Sequence, residues 1–141
     1  MSTTQTQTPR TTTTNSTTGA DVAARVRDLI GYIQQGRIID AMYEFYAPDA
    51  SMQENSKPAT VGLEANVDRE RQFVASVREW RKFEVASVGI DSDRGRAFLQ
   101  TELEFEGVDG KTYRMDQVSV QTWRDGKITH EKFYYDTGAA A

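Results

Sequence analysis

The chain has 141 residues, 38% hydrophobic and 27% charged, which is the size and balance of one soluble globular domain. A formal net charge of −4 speaks against a nucleic-acid-binding surface, which carries a basic excess. The absence of cysteine and the presence of one histidine, His130, exclude disulfides, thiolate nucleophiles and His-rich or Cys-rich metal sites.

Residues 1–18 hold ten threonines, one charge at Arg10, and no Val, Ile, Leu or aromatic residue. Such a segment cannot bury enough apolar area to offset its ordering entropy, so 1–20 is read as a disordered tail and 138–141 as a disordered C-terminus. Deleting residues 1–18 is expected to leave the melting temperature within about 1 °C. A drop of several degrees in a thermal melt would show that the threonine segment packs on the domain. No apolar run reaches the roughly 18 residues of a membrane span. The N-terminus lacks the apolar stretch of a secretory signal, so a cytoplasmic location is the expectation.

Asp21 can cap a first helix, in which Val22, Val26, Leu29, Ile30 and Ile33 follow at helical spacing until Gly36. A second helix covers about 38–46 with Ile38, Met42, Phe45 and Tyr46 on one side, and Pro48 stops it. Residues 50–54 read as a short strand and 55–60 as a loop. Gly62 opens a third helix carrying Leu63, Val67, Val74, Val77 and Trp80, with Glu64, Asp68, Arg69, Arg71 and Arg78 on its solvent side. After Trp80 the period becomes alternating, which predicts strands at 82–91, 96–106, 111–124 and 127–136. Their turns are explicit at Asp93-Arg94-Gly95, Val108-Asp109-Gly110 and Asp125-Gly126. Three helices followed by such a meander predict an α+β fold with the helices on one face of an antiparallel sheet. Strong twist leaves one end of that sheet open as a pocket.

Three stretches carry a family likeness. Phe45-Tyr46-Ala47-Pro48-Asp49-Ala50-Ser51-Met52 resembles the entry into the first strand of SnoaL-like and ketosteroid-isomerase-like proteins of the nuclear-transport-factor-2-like superfamily. Asp125-Gly126-Lys127-Ile128, running on to Phe133-Tyr134-Tyr135-Asp136, resembles their terminal hairpin, and Val61-Gly62-Leu63-Glu64-Ala65 the start of their third helix. The resemblance spans residues 21–137 and implies a cone-shaped α+β barrel, in which three N-terminal helices pack on a strongly curved antiparallel sheet. It does not select an activity, since the scaffold hosts isomerases, cyclases, dehydratases, epoxide hydrolases and binders. Counting from Ala47, the general base of the ketosteroid-isomerase-like proteins falls on Glu54. Their tyrosine falls at or near Leu29 and their protonated aspartic acid near Ser119, so steroid isomerisation is set aside. An aspartate of the limonene-epoxide-hydrolase-like proteins falls on Phe133, and strand 97–106 holds no arginine, so that chemistry is set aside too. Polyketide-cyclase-like members use a carboxylate on a pocket strand, and Glu131 can be one.

In the family's register the last strand turns Glu131, Phe133 and Tyr135 to the pocket, and the preceding strand Gln117, Ser119, Gln121 and Trp123. The residues alone favour the opposite faces on 111–124, because Val118 and Val120 are the more apolar side and a one-residue slip exchanges the faces. On 96–106, Leu99, Leu103 and Phe105 point inward and Gln100, Glu102 and Glu104 outward. Glu54 and Glu131 are the candidate acid/base pair, since burial near a second carboxylate raises a pKa and keeps one of the two protonated. The plainer alternatives are a loop cap for Glu54 and an ion pair for Glu131. Tyr32, Tyr46, Met52, Ser119, Trp123, Phe133 and Tyr135 are the expected ligand contacts. His130, of opposite parity to Glu131, is expected at the surface or an interface. The function expected is a small-molecule pocket protein, an acid/base isomerase, cyclase or dehydratase acting on a small apolar or polycyclic ligand without metal or cofactor. The alternatives are a non-catalytic ligand-binding or accessory domain, or a protein-interaction module using the outer sheet face. A homodimer is expected, with no nucleic acid or membrane as partner.

Overall fold

A computed structural model describes residues 19–137; of the expected tails at 1–20 and 138–141, residues 1–18 and 138–141 lie outside them, while Gly19 and Ala20 already belong to the first helix. The chain runs α1 (Gly19–Gln34), α2 (Ile38–Phe45), β1 (Tyr46–Glu54), β2 (Thr60–Val61), α3 (Leu63–Ala75), β3 (Val77–Asp91), β4 (Arg96–Gly107), β5 (Thr112–Arg124) and β6 (Lys127–Tyr135). Helix α1 begins two residues before Asp21, which lies in the first turn, where an acidic side chain faces the positive end of the helix dipole. Its stripe Val22, Val26 and Leu29 is buried against Phe45 of α2, Val67 of α3, Leu99 of β4 and Ile128 of β6. The helices therefore cover one face of the sheet, as the 3.6-residue period demands. No helix of the described residues is long and apolar enough to cross a membrane.

The sheet has six strands in the order β2-β1-β6-β5-β4-β3 and is not closed, since β2 and β3 are its free edges. From β3 to β6 it is the expected antiparallel meander. Strand β1 departs from that expectation by lying parallel to β6, so the sheet is mixed. The long return of the chain through α3 and the meander permits this pairing, which no local pattern encodes. The β1–β6 register shifts between Tyr46 and Ser51, the span that holds Pro48, which has no N–H for a ladder. The hairpin before β6 turns at Asp125 (φ 52°) and Gly126 (φ 76°), the left-handed pair that a tight two-residue hairpin needs.

The third helix is shorter than its apolar spacing predicts. It ends at Ala75, where the Ser76 hydroxyl donates to the Phe73 carbonyl at 2.6 Å. Val77 and Trp80 belong to β3 instead. Trp80 pairs across the sheet with Phe105 (rings 5.5 Å apart), and Phe105 stacks on Tyr113 (5.3 Å). Such cross-strand aromatic pairs favour sheet over another helical turn. On β5 the family register holds: Ser119, Gln121 and Trp123 are buried while Val118 is exposed. The polar face is inside because it lines a cavity rather than a solid core.

Candidate functional site

The concave side of the sheet, α1 and α3 enclose a cavity of about 220 Å³. Most of its wall is apolar, including Leu29, Ile33, Met42, Phe73, Phe83 and Leu103. Polar side chains also line it, among them Tyr46 from β1, Asn66 and Glu70 from α3, Thr101 from β4, Gln117, Ser119 and Gln121 from β5, and Glu131 from β6.

Glu131 is the centre of that group and is 3% exposed. Its Oε1 accepts a short hydrogen bond from the Tyr46 hydroxyl, and its Oε2 accepts one from Gln121 Nε2 at 2.8 Å. The Trp123 indole donates to Gln121 Oε1 at 3.0 Å, which commits the other end of that amide to Glu131. Burial pushes the Glu131 carboxyl above its ordinary range, although hydrogen bonds from Tyr46, Gln121 and Ser119 pull the other way. Tyr46 is pushed well above the usual phenol value by burial and by the neighbouring Glu131 charge, so it remains a neutral donor.

Glu70 is the second carboxyl of the cavity. Burial and the Glu131 charge raise it to about 7; Arg69 opposes the shift and Glu54 adds to it. A carboxyl titrating there is half ionised near neutrality and can take or give a proton. Because Glu70 and Glu131 feel each other, they titrate as a pair. The sequence reading missed Glu70. The signal was present, since Leu63, Asn66, Val67, Glu70 and Phe73 share one helical face that also carries two polar residues. Asn66 is the other, and it is 2% exposed. Its Nδ2 donates to the carbonyls of Ala50 (3.2 Å), Thr60 (3.0 Å) and Gly62 (2.9 Å), tying α3 to β1, to β2 and to the glycine that precedes the helix. Its Oδ1 has no hydrogen-bond partner among the described residues.

Glu54 also lines the cavity, but at its rim. It pairs with Arg69 at 3.1 Å, both side chains being more than a third exposed, and it neighbours Tyr135. Replacing Glu54 with Gln should therefore cost at most about 1 kcal/mol, the usual worth of an exposed ion pair, as read from a denaturant midpoint. A larger loss would mean that Glu54 holds the rim loop in place. Of the expected ligand contacts, Tyr46, Met52, Ser119 and Phe133 line the cavity. Tyr32 instead packs its ring edge against Phe45 at 5.2 Å under the Arg37 guanidinium. Trp123 lies behind Gln121, and Tyr135 stands beside Glu54 outside the cavity wall. His130 is half-buried on the other face of β6, with Nδ1 at 2.6 Å from Ser51 Oγ. No cluster of His, Asp and Glu among the described residues could hold a metal ion.

A family model described as a SnoaL-like domain matches residues 26–131. The chain belongs to the SnoaL-like family. A comparison with curated proteins gives no match. Among solved structures, a Mesorhizobium loti protein assigned provisionally as a SnoaL-like polyketide cyclase is 24% identical. It covers 81% of this chain and 98% of its own, with a TM-score of 0.69. A Bacillus subtilis protein assigned provisionally as an isomerase is 16% identical over 83% of this chain and 87% of its own, at the same TM-score. A Burkholderia pseudomallei NTF2-like protein of unknown function is 14% identical over 84% and 92%, with a TM-score of 0.72. At these identities the likeness establishes a shared SnoaL-like fold.

Proposed function

We propose that this SnoaL-like domain is an acid/base enzyme that moves a proton on a small, mostly apolar carbonyl compound, as in isomerisation, cyclisation or dehydration. The observation that carries the reading is the pairing of two carboxyls, Glu70 and Glu131, in the wall of one mostly apolar cavity, with Glu70 raised to about 7. Structural ion pairs do not explain that arrangement, because neither carboxyl has a basic side chain as hydrogen-bond partner among the described residues. Ionised Glu70 is the base that removes a proton beside the carbonyl. The Tyr46 hydroxyl, which donates to Glu131 and stays neutral, turns to donate to the carbonyl oxygen where negative charge develops. Glu54, the base that the family resemblance implies, takes a lesser role at the rim, holding Arg69. The provisional names of two structural neighbours, a cyclase and an isomerase, belong to the same class of chemistry.

A thermal-shift screen against polycyclic ketones, lactones and fatty acids tests the reading. Neutral carbonyl compounds should raise the melting temperature by several degrees, as occupancy well above Kd adds about 2.7 kcal/mol at a hundredfold excess. No shift with any of them would count against a small-molecule site.

We also propose that the domain is a homodimer through the outer face of the sheet. Phe98, Val118 and Tyr134 are exposed there on neighbouring strands, an apolar strip beside Gln100 and the charged Glu102 and Glu104. Light scattering should give twice the chain mass of 15.9 kDa at micromolar concentration, and the single mass would contradict the proposal.

A further inference from the structure

A second cavity, of about 450 Å³, lies between the α1–α2 turn, the end of α3 and β3. It shares four wall residues with the first: Ile33, Ile38, Trp80 and Phe83. The two therefore adjoin along these four side chains, the first holding the Glu131 floor and the second opening at the surface. The outer half is apolar and open, since its wall includes Val74 and Trp80, which are 36% and 41% exposed. Exposed apolar side chains lining a concavity, rather than scattered singly, mark a place where something apolar rests. The charges at its rim, Arg37 and Asp40, are paired with each other at 3.2 Å and do not ask for a charged occupant.

The inner half has the opposite electrostatic character. Glu54, Glu70 and Glu131 line it, and the one basic side chain on its wall, Arg69, is already held by Glu54 at 3.1 Å. An anionic head group brought to the floor would meet two carboxyls with no free cation to receive it, a like-charge contact that costs affinity.

Resting on the acid/base reading above, we propose that the substrate is an elongated amphiphile with an uncharged carbonyl head at Glu70 and Glu131. Its apolar body runs past Ile33, Ile38 and Phe83 to rest on Val74 and Trp80. The proposal separates this cavity from a fatty-acid carrier, whose ligand presents a carboxylate, and from a site for compact ligands that end inside the first cavity. It also accounts for the exposed Val74 and Trp80 without a protein partner.

Binding of methyl ketones from heptan-2-one to undecan-2-one, followed by tryptophan fluorescence on the full chain, tests it. Each added methylene should tighten binding about fourfold, the value of burying one CH₂. Undecanoate at pH 8 should bind at least tenfold more weakly than undecan-2-one. The variant Val74→Trp, at an exposed helix position, should fold normally and reduce the gain to less than twofold per methylene by filling the outer cavity. The proposal is overturned by a flat series, by undecanoate binding as tightly as the ketone, by an unchanged slope in Val74→Trp, or by no binding of either ketone. Ketones bound with the expected slope but showing no proton exchange would sink the acid/base reading and leave this one standing. Exchange with a flat series would do the reverse.

Discussion

Replacing Glu70 with Gln should make the protein more stable at pH 8 by up to about 3 kcal/mol, while its proton-transfer activity falls by roughly 10²-fold or more. The stability sign follows from the raised pKa. An unfolded glutamate releases its proton near 4.5, whereas the folded Glu70 keeps it to about 7. Between those values the folded state holds more protons, so wild-type stability declines as pH rises from about 4.5 to 7 and is flat above. Glutamine keeps the size and polarity and never ionises. The variant therefore gains nothing near pH 4.5 and the most above pH 7, a shift of roughly 5–10 °C in a domain of this size. Melting curves of both proteins between pH 4.5 and 8.5 check this. Parallel curves would show that Glu70 titrates like a solvated glutamate.

Tyr46→Phe should act in the other direction. It removes the hydroxyl that donates to Glu131 and leaves a buried carboxylate with fewer donors, at a cost of about 1–3 kcal/mol at pH 8. The lost hydrogen bond was one of the forces holding the Glu131 pKa down, so that pKa rises further. A raised carboxyl weakens the fold as pH increases, and the destabilisation by Tyr46→Phe should accordingly shrink in acid. Adding Glu131→Gln to Tyr46→Phe should recover part of the loss, since the uncompensated charge disappears with it. Equal destabilisation at pH 5 and pH 8, with no recovery in the double variant, would make Tyr46 a packing residue only.

The sequence made the helix–helix–strand–helix–sheet order legible because apolar period and turn chemistry agree along most of the chain. Asp125-Gly126 fixes its hairpin, and Val22, Val26 and Leu29 fix the buried face of α1. The β1–β6 pairing was not legible, since a parallel contact between distant segments leaves no local trace. Val77 and Trp80 extended the apparent helix because spacings shared by helix and strand do not distinguish them until cross-strand partners are known. On β5 the apolar face proved to be the outer one, Val118 being exposed and Gln121 buried, because the interior at that point is a cavity with polar side chains in its wall. Glu131 could be placed by its parity on the last strand. Glu70 could not, because charges crowd both sides of it on α3, and only the shared face with Leu63, Asn66 and Val67 sets it apart.

The central claim is that Glu70, beside Tyr46 and Glu131, transfers protons to and from a bound carbonyl compound. Hydrogen–deuterium exchange beside the carbonyl of 1-tetralone, a neutral two-ring ketone, followed by NMR in D₂O, tests it without knowledge of the natural substrate. The wild type should exchange those protons at least 10²-fold faster than Glu70→Gln, with a rate that rises through a midpoint near 7 and then levels. Exchange at the buffer rate in the wild type, or equal rates in the two proteins, would contradict it.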